Sequence, residues 1–206
     1  MYRTMLIFAA LVLLGGCAAK QPKNIDNICA IFDQKPHWYD YAKRAESRWG
    51  TPTHVQMAIM YQESSFRHNV RPAERTQILG VIPGPRRSSA FGYPQAKDEV
   101  WREFARDTSN RFADRRSMKD ALDFIGYYND ISHRRLRISK SNAEHLYLAY
   151  HEGHGGYQRR TYQQKPWLMR TAKIVGDRAK TYERQLASCE SRFKCRRFYQ
   201  IWPFCR

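Results

Sequence analysis

Residues 51–66 read TPTHVQMAIMYQESSF, and this stretch decides the fold. From Val55 to Tyr61 every side chain but one is apolar. A helix that is apolar on all of its faces is buried on most sides, so we expect it in the core of a folded domain. Thr51 is placed to cap this helix, and Pro52 suits its first turn.

Helical patterns follow on both sides of this stretch. They predict further helices at residues 38–49, 96–106, 118–132, 142–152 and 168–186. The last is a long amphipathic helix, because its apolar side chains recur at every third or fourth position. Ser141 and Glu144 form a capping-box signature for the helix at 142–152, and the three glycines between residues 153 and 156 are expected to end it. Residues 67–90 are rich in proline and glycine and predict a loop region with a short hairpin.

The first residues resemble the signal peptide of bacterial lipoproteins. One positive charge precedes an apolar run from Met5 to Leu14, which is too short for a stable membrane anchor. Residues 14–17, Leu-Gly-Gly-Cys, resemble a lipobox, in which the thiol of Cys17 is acylated. Ala18 is typical of lipoproteins sent to the outer membrane. We therefore expect a signal peptide over residues 1–16, a tether over 17–28 and an outer-membrane lipoprotein facing the periplasm.

The strong positive charge of the chain favours anionic binding partners but does not select one class of them. The formal net charge of +17 concentrates anionic partners such as nucleic acid, acidic lipid or the carboxylate-bearing cell wall. Export argues against nucleic acid. The basic aromatic tail, residues 191–206, holds no acidic residue. It could bind acidic lipid, or it could be a disulfide-closed flap packed on the domain.

The cysteines predict two disulfides. With Cys17 assigned to lipid, an even number remains in an oxidising compartment, and three pairings are open. We favour Cys29 with Cys189, which would tie the ends of the domain together, and Cys195 with Cys205, which would close a loop in the tail. No CxxC pair is present, so a zinc site is not expected.

Glu63 is the first candidate for chemistry. It lies where the apolar helix ends, near the negative end of the helix dipole, among apolar neighbours and without a cation in the preceding turn. Each of these conditions raises the pKa of a carboxyl. A carboxyl that keeps its proton near neutral pH can protonate a glycosidic oxygen. A solvated glutamate at a helix end is the alternative.

Three blocks resemble one family in the same order. Residues 63–66, Glu-Ser-Ser-Phe, resemble the Glu-Ser-x-Phe signature of the soluble lytic transglycosylases. Residues 89–95, SAFGYPQ, resemble that family's Gly-Leu-Met-Gln block, and residues 149–153, AYHEG, resemble its Ala-Tyr-Asn-Ala-Gly block. The resemblance covers residues 29–189 and is strongest to a branch of small lipoproteins. It implies one mostly α, lysozyme-like domain (goose-type lysozyme or lytic transglycosylase) at residues 29–190, followed by the tail.

The departures from the family pattern matter. Tyr93-Pro94 replaces Leu-Met, and His151-Glu152 replaces Asn-Ala, which places a second carboxylate near the expected cleft. The stretch between the first two blocks is longer than usual. Its prolines and the Arg86-Arg87 pair indicate an extra loop over the cleft.

The resemblance implies a peptidoglycan lytic transglycosylase. Glu63 would act as the single acid and base on the MurNAc–GlcNAc β-1,4 bond and leave 1,6-anhydromuramic ends, without a cofactor. Hydrolysing glycosidases generally use two carboxylates, so Glu152 keeps a hydrolytic muramidase open. A non-catalytic lipoprotein that binds peptidoglycan or lipid is a third reading. The partners would be glycan strands and the membrane, reached through the N-terminal lipid, and we expect a monomer.

Matching positions imply supporting roles. Tyr150 would direct its hydroxyl towards Glu63, and Ser64 or Ser65 would hydrogen-bond the carboxyl or the substrate. Gly92 would allow close backbone approach, and Gln95 would bind a sugar or acetamido group. The remaining candidates for contact with the substrate are Tyr93, Tyr128, His151 and Glu152. Of these, Tyr128 could equally be a core residue, and Glu152 could simply pair with an arginine. The two histidines at 151 and 154 lack the spacing of a zinc motif.

Overall fold

The computed structural model describes residues 20–73, 75–78, 82–86 and 88–194, with backbone only in the two strands. The helices are α1 (Ile28–Gln34), α2 (Pro36–Trp49), α3 (Thr53–Ser64), α4 (Asp98–Asp107), α5 (Met118–Leu136), α6 (Ala143–Gln158), α7 (Pro166–Cys189) and α8 (Ser191–Lys194). The strands are β1 (Arg75–Ile78) and β2 (Ile82–Arg86), and a short 3-10 helix, Thr161–Gln164, precedes α7.

Helix α3 lies at the centre of the domain. It packs against α2, α5, α6 and α7. Five of its apolar side chains have no exposed surface: Val55, Met57, Ala58, Ile59 and Met60. Neighbours on all sides explain why its sequence is apolar all round, and they confirm the prediction of a buried central helix in a mostly α domain.

The start of α3 differs from the prediction. The helix begins at Thr53, so Thr51 does not cap it, and Pro52 lies just before it without a side-chain cap. Instead, Glu46 of α2 accepts hydrogen bonds from the Thr53 amide at 3.0 Å and the Thr53 hydroxyl at 2.7 Å. Burial alone would raise the pKa of Glu46, but its hydrogen bonds from Thr53 and Lys43 hold that pKa below the usual value. A carboxylate from another helix therefore satisfies the N-terminus of α3.

The N-terminal cap of the helix predicted at 142–152 also differs from the prediction. The Asn142 side chain caps α6 by accepting a hydrogen bond from the His145 amide at 3.1 Å, so Ser141 and Glu144 do not form a capping box. The helical geometry is interrupted at Gly153, with φ 74° and ψ 159°, as the glycines predicted. A second helical segment follows this kink, contains Gly155 and Gly156, and continues to Gln158.

The proline-rich interruption contains the predicted hairpin. Strands β1 and β2 are antiparallel, and Ile78 pairs with Ile82 next to the turn. The predicted placement of this loop over the cleft stays a prediction. It depends on side chains, including those of Arg86 and Arg87, that are outside the part of the chain that the structure describes. Residues Ser88 and Ala90, which follow β2, line the same cleft as Glu63.

A disulfide joins the two ends of the domain. Cys29 of α1 bonds to Cys189, the last residue of α7, with their Cα atoms 6.1 Å apart, which confirms this pairing. Phe193 of α8 is buried beside Phe32 and Tyr39, so the first residues of the tail pack on the domain. The pair Cys195–Cys205, the rest of the tail, the signal peptide and Cys17 lie outside the described residues.

Ile25 and Asp26, in the segment that we assigned to the tether, lie against α7. The Tyr182 hydroxyl donates a hydrogen bond to the Ile25 carbonyl. Asp26 forms an ion pair with Arg178 at 2.8 Å, and Pro22 is buried. In the part of the chain that the structure describes, no helix is long and apolar enough to cross a membrane.

Candidate active site

The three sequence blocks meet in one cleft with a cavity volume of about 390 Å³. Glu63 comes from the last turn of α3, and Gln95 comes from the loop before α4. The side chains of Phe124 and Tyr128 come from α5. The α6 residues that line the cleft are Tyr150, His151, Glu152 and Gly153.

Glu63 is a carboxyl with an unusually high proton affinity. It faces the cleft and is otherwise enclosed by protein atoms, and this burial raises its pKa to about 8. Among the described residues, no hydrogen bond or ion pair reaches the carboxyl to stabilise its charged form. The direction of the predicted pKa shift is therefore confirmed, and loss of hydration is its cause.

A sharp turn sets Glu63 at the cleft. Ser65 and Phe66 follow it with φ values of 50° and 60°, so the chain leaves the helix through two consecutive left-handed residues. Phe66 is fully buried against Trp38 and Tyr61, which holds this turn in place. The end of α3 is thus fixed by packing rather than by a glycine.

The two serines of the first block do not contact the cleft. Ser64 is buried, and its hydroxyl donates to the Met60 carbonyl at 3.3 Å within α3. Ser65 is not among the lining residues, and its carbonyl accepts a hydrogen bond from Gln21 at 2.6 Å. The predicted contact of Ser64 with the carboxyl or the substrate is therefore wrong, and the structure does not bring Ser65 to the cleft.

Tyr150 lies beside Glu63 but does not donate to it. Its hydroxyl donates to the Pro94 carbonyl at 2.5 Å. Burial, and secondarily the nearby charge of Glu63, raise the pKa of Tyr150 well above its usual value, so the hydroxyl keeps its proton. The predicted hydrogen bond from Tyr150 to Glu63 is thus replaced by one that ties α6 to the second block.

The second block is held together by its own polar groups. The Gln95 amide nitrogen donates to the carbonyls of Val70 at 3.0 Å and Gly92 at 2.7 Å. Both amide protons are therefore engaged, and only the Gln95 side-chain oxygen remains to contact a sugar. Tyr93 is 2% exposed and packs on Trp38, so it is a core residue and not a substrate contact.

Gly92 allows a close backbone approach, but the partner is another segment of this protein. Its φ is 76°, and a Cβ at this position would lie 2.3 Å from the Arg115 carbonyl oxygen. The Tyr93 amide donates to the same oxygen at 2.9 Å. Gly92 therefore docks the second block onto the loop before α5 and does not itself line the cleft.

Gly92→Ala is expected to destabilise the protein by about 2–4 kcal/mol, because the methyl group collides with backbone that cannot rotate away. Gly50→Ala is the matched control: its φ is also 76°, yet a Cβ there would meet only the flexible side chain of Lys140, at 3.1 Å. The control should cost only about 1 kcal/mol, the backbone contribution alone. Urea unfolding measures both, and equal losses would contradict the assigned contact with Arg115.

Glu152 is a fixed carboxylate. Its side chain is 3% exposed, and it forms an ion pair with Lys165, whose Nζ lies 2.7 Å and 3.0 Å from its two oxygens. Thr161 and His151 donate to it as well. Burial acts to raise the pKa of Glu152, but these partners outweigh it and lower the pKa to about 2. The cation that pairs with it is a lysine, not an arginine.

Tyr128 and two histidines complete one wall of the cleft. Tyr128 is 8% exposed, lines the cleft and stacks on His154 with ring centroids 4.3 Å apart. Burial lowers the pKa of His154, which is hydrogen-bonded to Ser132 at 3.0 Å. His151 lines the cleft itself. Over residues 20–73 and 88–194, no group of three or more His, Cys, Asp or Glu side chains could hold a metal ion.

The sequence reasoning missed part of the lining. Those residues are Ser88, Ala90, Ala96, Lys97, Val100 and Phe124. Phe124 could have been predicted from the sequence, because it lies four residues before Tyr128 on the same face of a predicted helix. Val100 lies in α4, within the helix predicted at 96–106, and the others come from the irregular segment between β2 and α4.

The comparisons with known proteins agree with the site. The model of the transglycosylase SLT domain family matches residues 5–189, which include all three blocks of the cleft. No curated protein sequence matches this chain significantly. The matched part is most of the chain, and the fold is mostly α and lysozyme-like. The chain belongs to the transglycosylase SLT domain family.

Proposed function

We propose that this protein cleaves the MurNAc–GlcNAc β-1,4 bond of peptidoglycan and leaves 1,6-anhydromuramic ends, with Glu63 as its only acid and base. The family is one of peptidoglycan-degrading transglycosylases. One observation carries the proposal: Glu63 faces the cleft with a pKa raised to about 8, so it holds a proton at neutral pH. The other carboxyl of the cleft, Glu152, does not.

The first step needs an acid. Protonated Glu63 donates its proton to the glycosidic oxygen as the bond from that oxygen to C1 of the muramic sugar breaks. Loss of hydration, which raises the pKa of Glu63, also keeps bulk water away from the positive charge that develops at C1. The leaving sugar departs as a neutral alcohol.

The second step needs a base, and the same residue serves. Glu63 is now a carboxylate with a high proton affinity, and it accepts the proton of the C6 hydroxyl as that oxygen attacks C1. The C6 oxygen belongs to the same sugar, so it competes with water through a large effective concentration. Glu63 ends protonated, as it began, and no second carboxylate is required.

A hydrolytic muramidase is the competing function. Glu152 would have to activate water or attack C1 directly. Its pKa is near 2, and Lys165, Thr161 and His151 engage its oxygens, so it is a weak base with little freedom to move. These contacts favour a structural carboxylate and, with it, the intramolecular reaction.

Product mass distinguishes the two reactions. We expect the muropeptides released from purified sacculi to carry anhydro ends, each lighter by one water than a reducing end. Glu152→Gln should still release muropeptides with anhydro ends, even if the rate of release falls, because the proposal gives Glu152 no chemical step. Reducing ends from the wild-type protein would overturn the proposal, as would a switch of product in the Glu152 variant.

The cellular location stays a prediction from the first residues. We propose that lipid on Cys17 tethers the enzyme to the outer membrane on its periplasmic side. The lipobox and Ala18 support this proposal. The suggested binding of acidic lipid by residues 191–206 is likewise a proposal that follows from their composition.

A further inference from the structure

An exposed tryptophan lies at the rim of the cleft. Trp167, in the first turn of α7, is 50% exposed. Trp38 and Trp101 are each 8% exposed, and Trp49 is partly buried against the core. Isolated apolar side chains at a surface are ordinary, so exposure alone assigns nothing to Trp167. Its location is what matters.

Two contacts hold Trp167 beside the cleft. Its ring packs at 79° to that of His151, with centroids 5.2 Å apart, and His151 lines the cleft. Lys165, two residues earlier, pairs with Glu152 at 2.7 Å, which fastens the start of α7 to the same wall. Pro166 occupies the first turn of the helix and restricts its backbone. The indole is therefore presented by a rigid segment.

The ligand that fits this rim is a ring with an apolar face. Lys165 and Glu152 neutralise each other, and the exposed side chain next to them is the indole of Trp167. An indole offers a flat, polarisable face and a donor N–H, which suit the C–H face and the hydroxyls of a pyranose. Carbohydrate in the cleft at Glu63 continues on both sides of the scissile bond, so a strand that leaves past His151 meets Trp167.

We propose that Trp167 stacks on a sugar of the glycan strand outside the cleft and, with His151, forms a binding subsite remote from the bond that is cleaved. The inference rests on the proposed function, since it takes the cleft to hold a glycan strand. The subsite raises affinity for long strands over short ones and leaves the chemical step at Glu63 unchanged. Trp167 is a binding residue and exchanges no proton with the substrate.

Binding in an inactive background tests the subsite without turnover. The probe is the β-1,4-linked hexamer of N-acetylglucosamine, titrated into the Glu63→Gln protein and followed by tryptophan emission and calorimetry. We expect a blue shift on binding. Trp167→Ala in the same background should abolish most of that shift and raise Kd by about tenfold, whereas Trp167→Tyr should restore most of the affinity.

Ile174→Ala is the matched control. Ile174 lies two turns further along α7 and is 54% exposed, and it lines a different concavity with Arg178 and Thr181. The Ile174→Ala variant should bind the hexamer with the same Kd as the Glu63→Gln protein from which it is made. An unchanged Kd in Trp167→Ala, or an equal loss in Ile174→Ala, would overturn the subsite. Full lysis by Glu63→Gln would instead overturn the proposed function, so the two failures are distinguishable.

Discussion

Glu63→Gln is expected to reduce lysis of sacculi by about 100- to 10 000-fold, the range attributed to one general acid–base group. Glutamine keeps the size of the side chain but cannot donate a proton to the glycosidic oxygen. The rate of muropeptide release, measured by chromatography, gives the effect. The proposed mechanism assigns both steps to Glu63, so the substitution removes the acid and the base together.

The same substitution should make the protein more stable in alkali. The pKa of Glu63 rises from 4.5 to about 8 on folding, so the folded state holds a proton that the unfolded state has released between these values. Its contribution to the free energy of unfolding is thus fully present below pH 4.5 and is lost as the pH rises to about 8. At about 1.4 kcal/mol per pKa unit, the loss is at most about 5 kcal/mol.

Urea midpoints at pH 5 and pH 9 separate a catalytic role from a structural one. The urea midpoint of the wild-type protein should be lower at pH 9 than at pH 5. The midpoint of Glu63→Gln should decrease less over the same range. If the variant instead unfolds more easily at both, its inactivity would reflect damage to the fold. Retained lysis, at any stability, would remove Glu63 from the mechanism.

The central helix and the three blocks could be read from the sequence because the signals are local. The apolar run before Glu63 reports burial on every side, and each block lies within a few consecutive residues. The high pKa of Glu63 was also foreseeable, since apolar neighbours and the lack of a nearby cation are both visible in the sequence.

Contacts between distant segments were not foreseeable. The Tyr150 hydroxyl reaches the carbonyl of Pro94, and the N-terminus of α3 is satisfied by Glu46 of another helix. Capping rules consider only the adjacent residues, so they favoured Thr51. Gly92 was expected to allow close approach of the substrate, but the group that approaches it is the backbone of Arg115. A glycine in a sequence indicates a close approach but does not identify the approaching group.

The disulfide between Cys29 and Cys189 should have the largest effect on stability. It joins residues separated by 160 positions, which encloses nearly the whole domain. Chain-entropy arguments give about 5 kcal/mol for a loop of this length. Cys29→Ala combined with Cys189→Ala is thus expected to lower the free energy of unfolding by about that amount, as measured by urea titration at neutral pH.

Two comparisons isolate the crosslink from the loss of sulfur atoms. Cys29 and Cys189 are 9% and 3% exposed, so their removal also costs packing, whereas reduction of the wild-type protein breaks the bond and keeps both sulfurs. Replacing Cys195 and Cys205, which lie close together in the sequence, should cost no more than about 3 kcal/mol, because the loop they would enclose is short. If reduction leaves the urea midpoint unchanged while the double alanine variant lowers it, the effect belongs to packing. If reduction still lowers the free energy of unfolding strongly after Cys195 and Cys205 have been replaced, the effect belongs to the bond between Cys29 and Cys189. That bond holds α1 against the end of α7 and so supports the helices that carry the cleft.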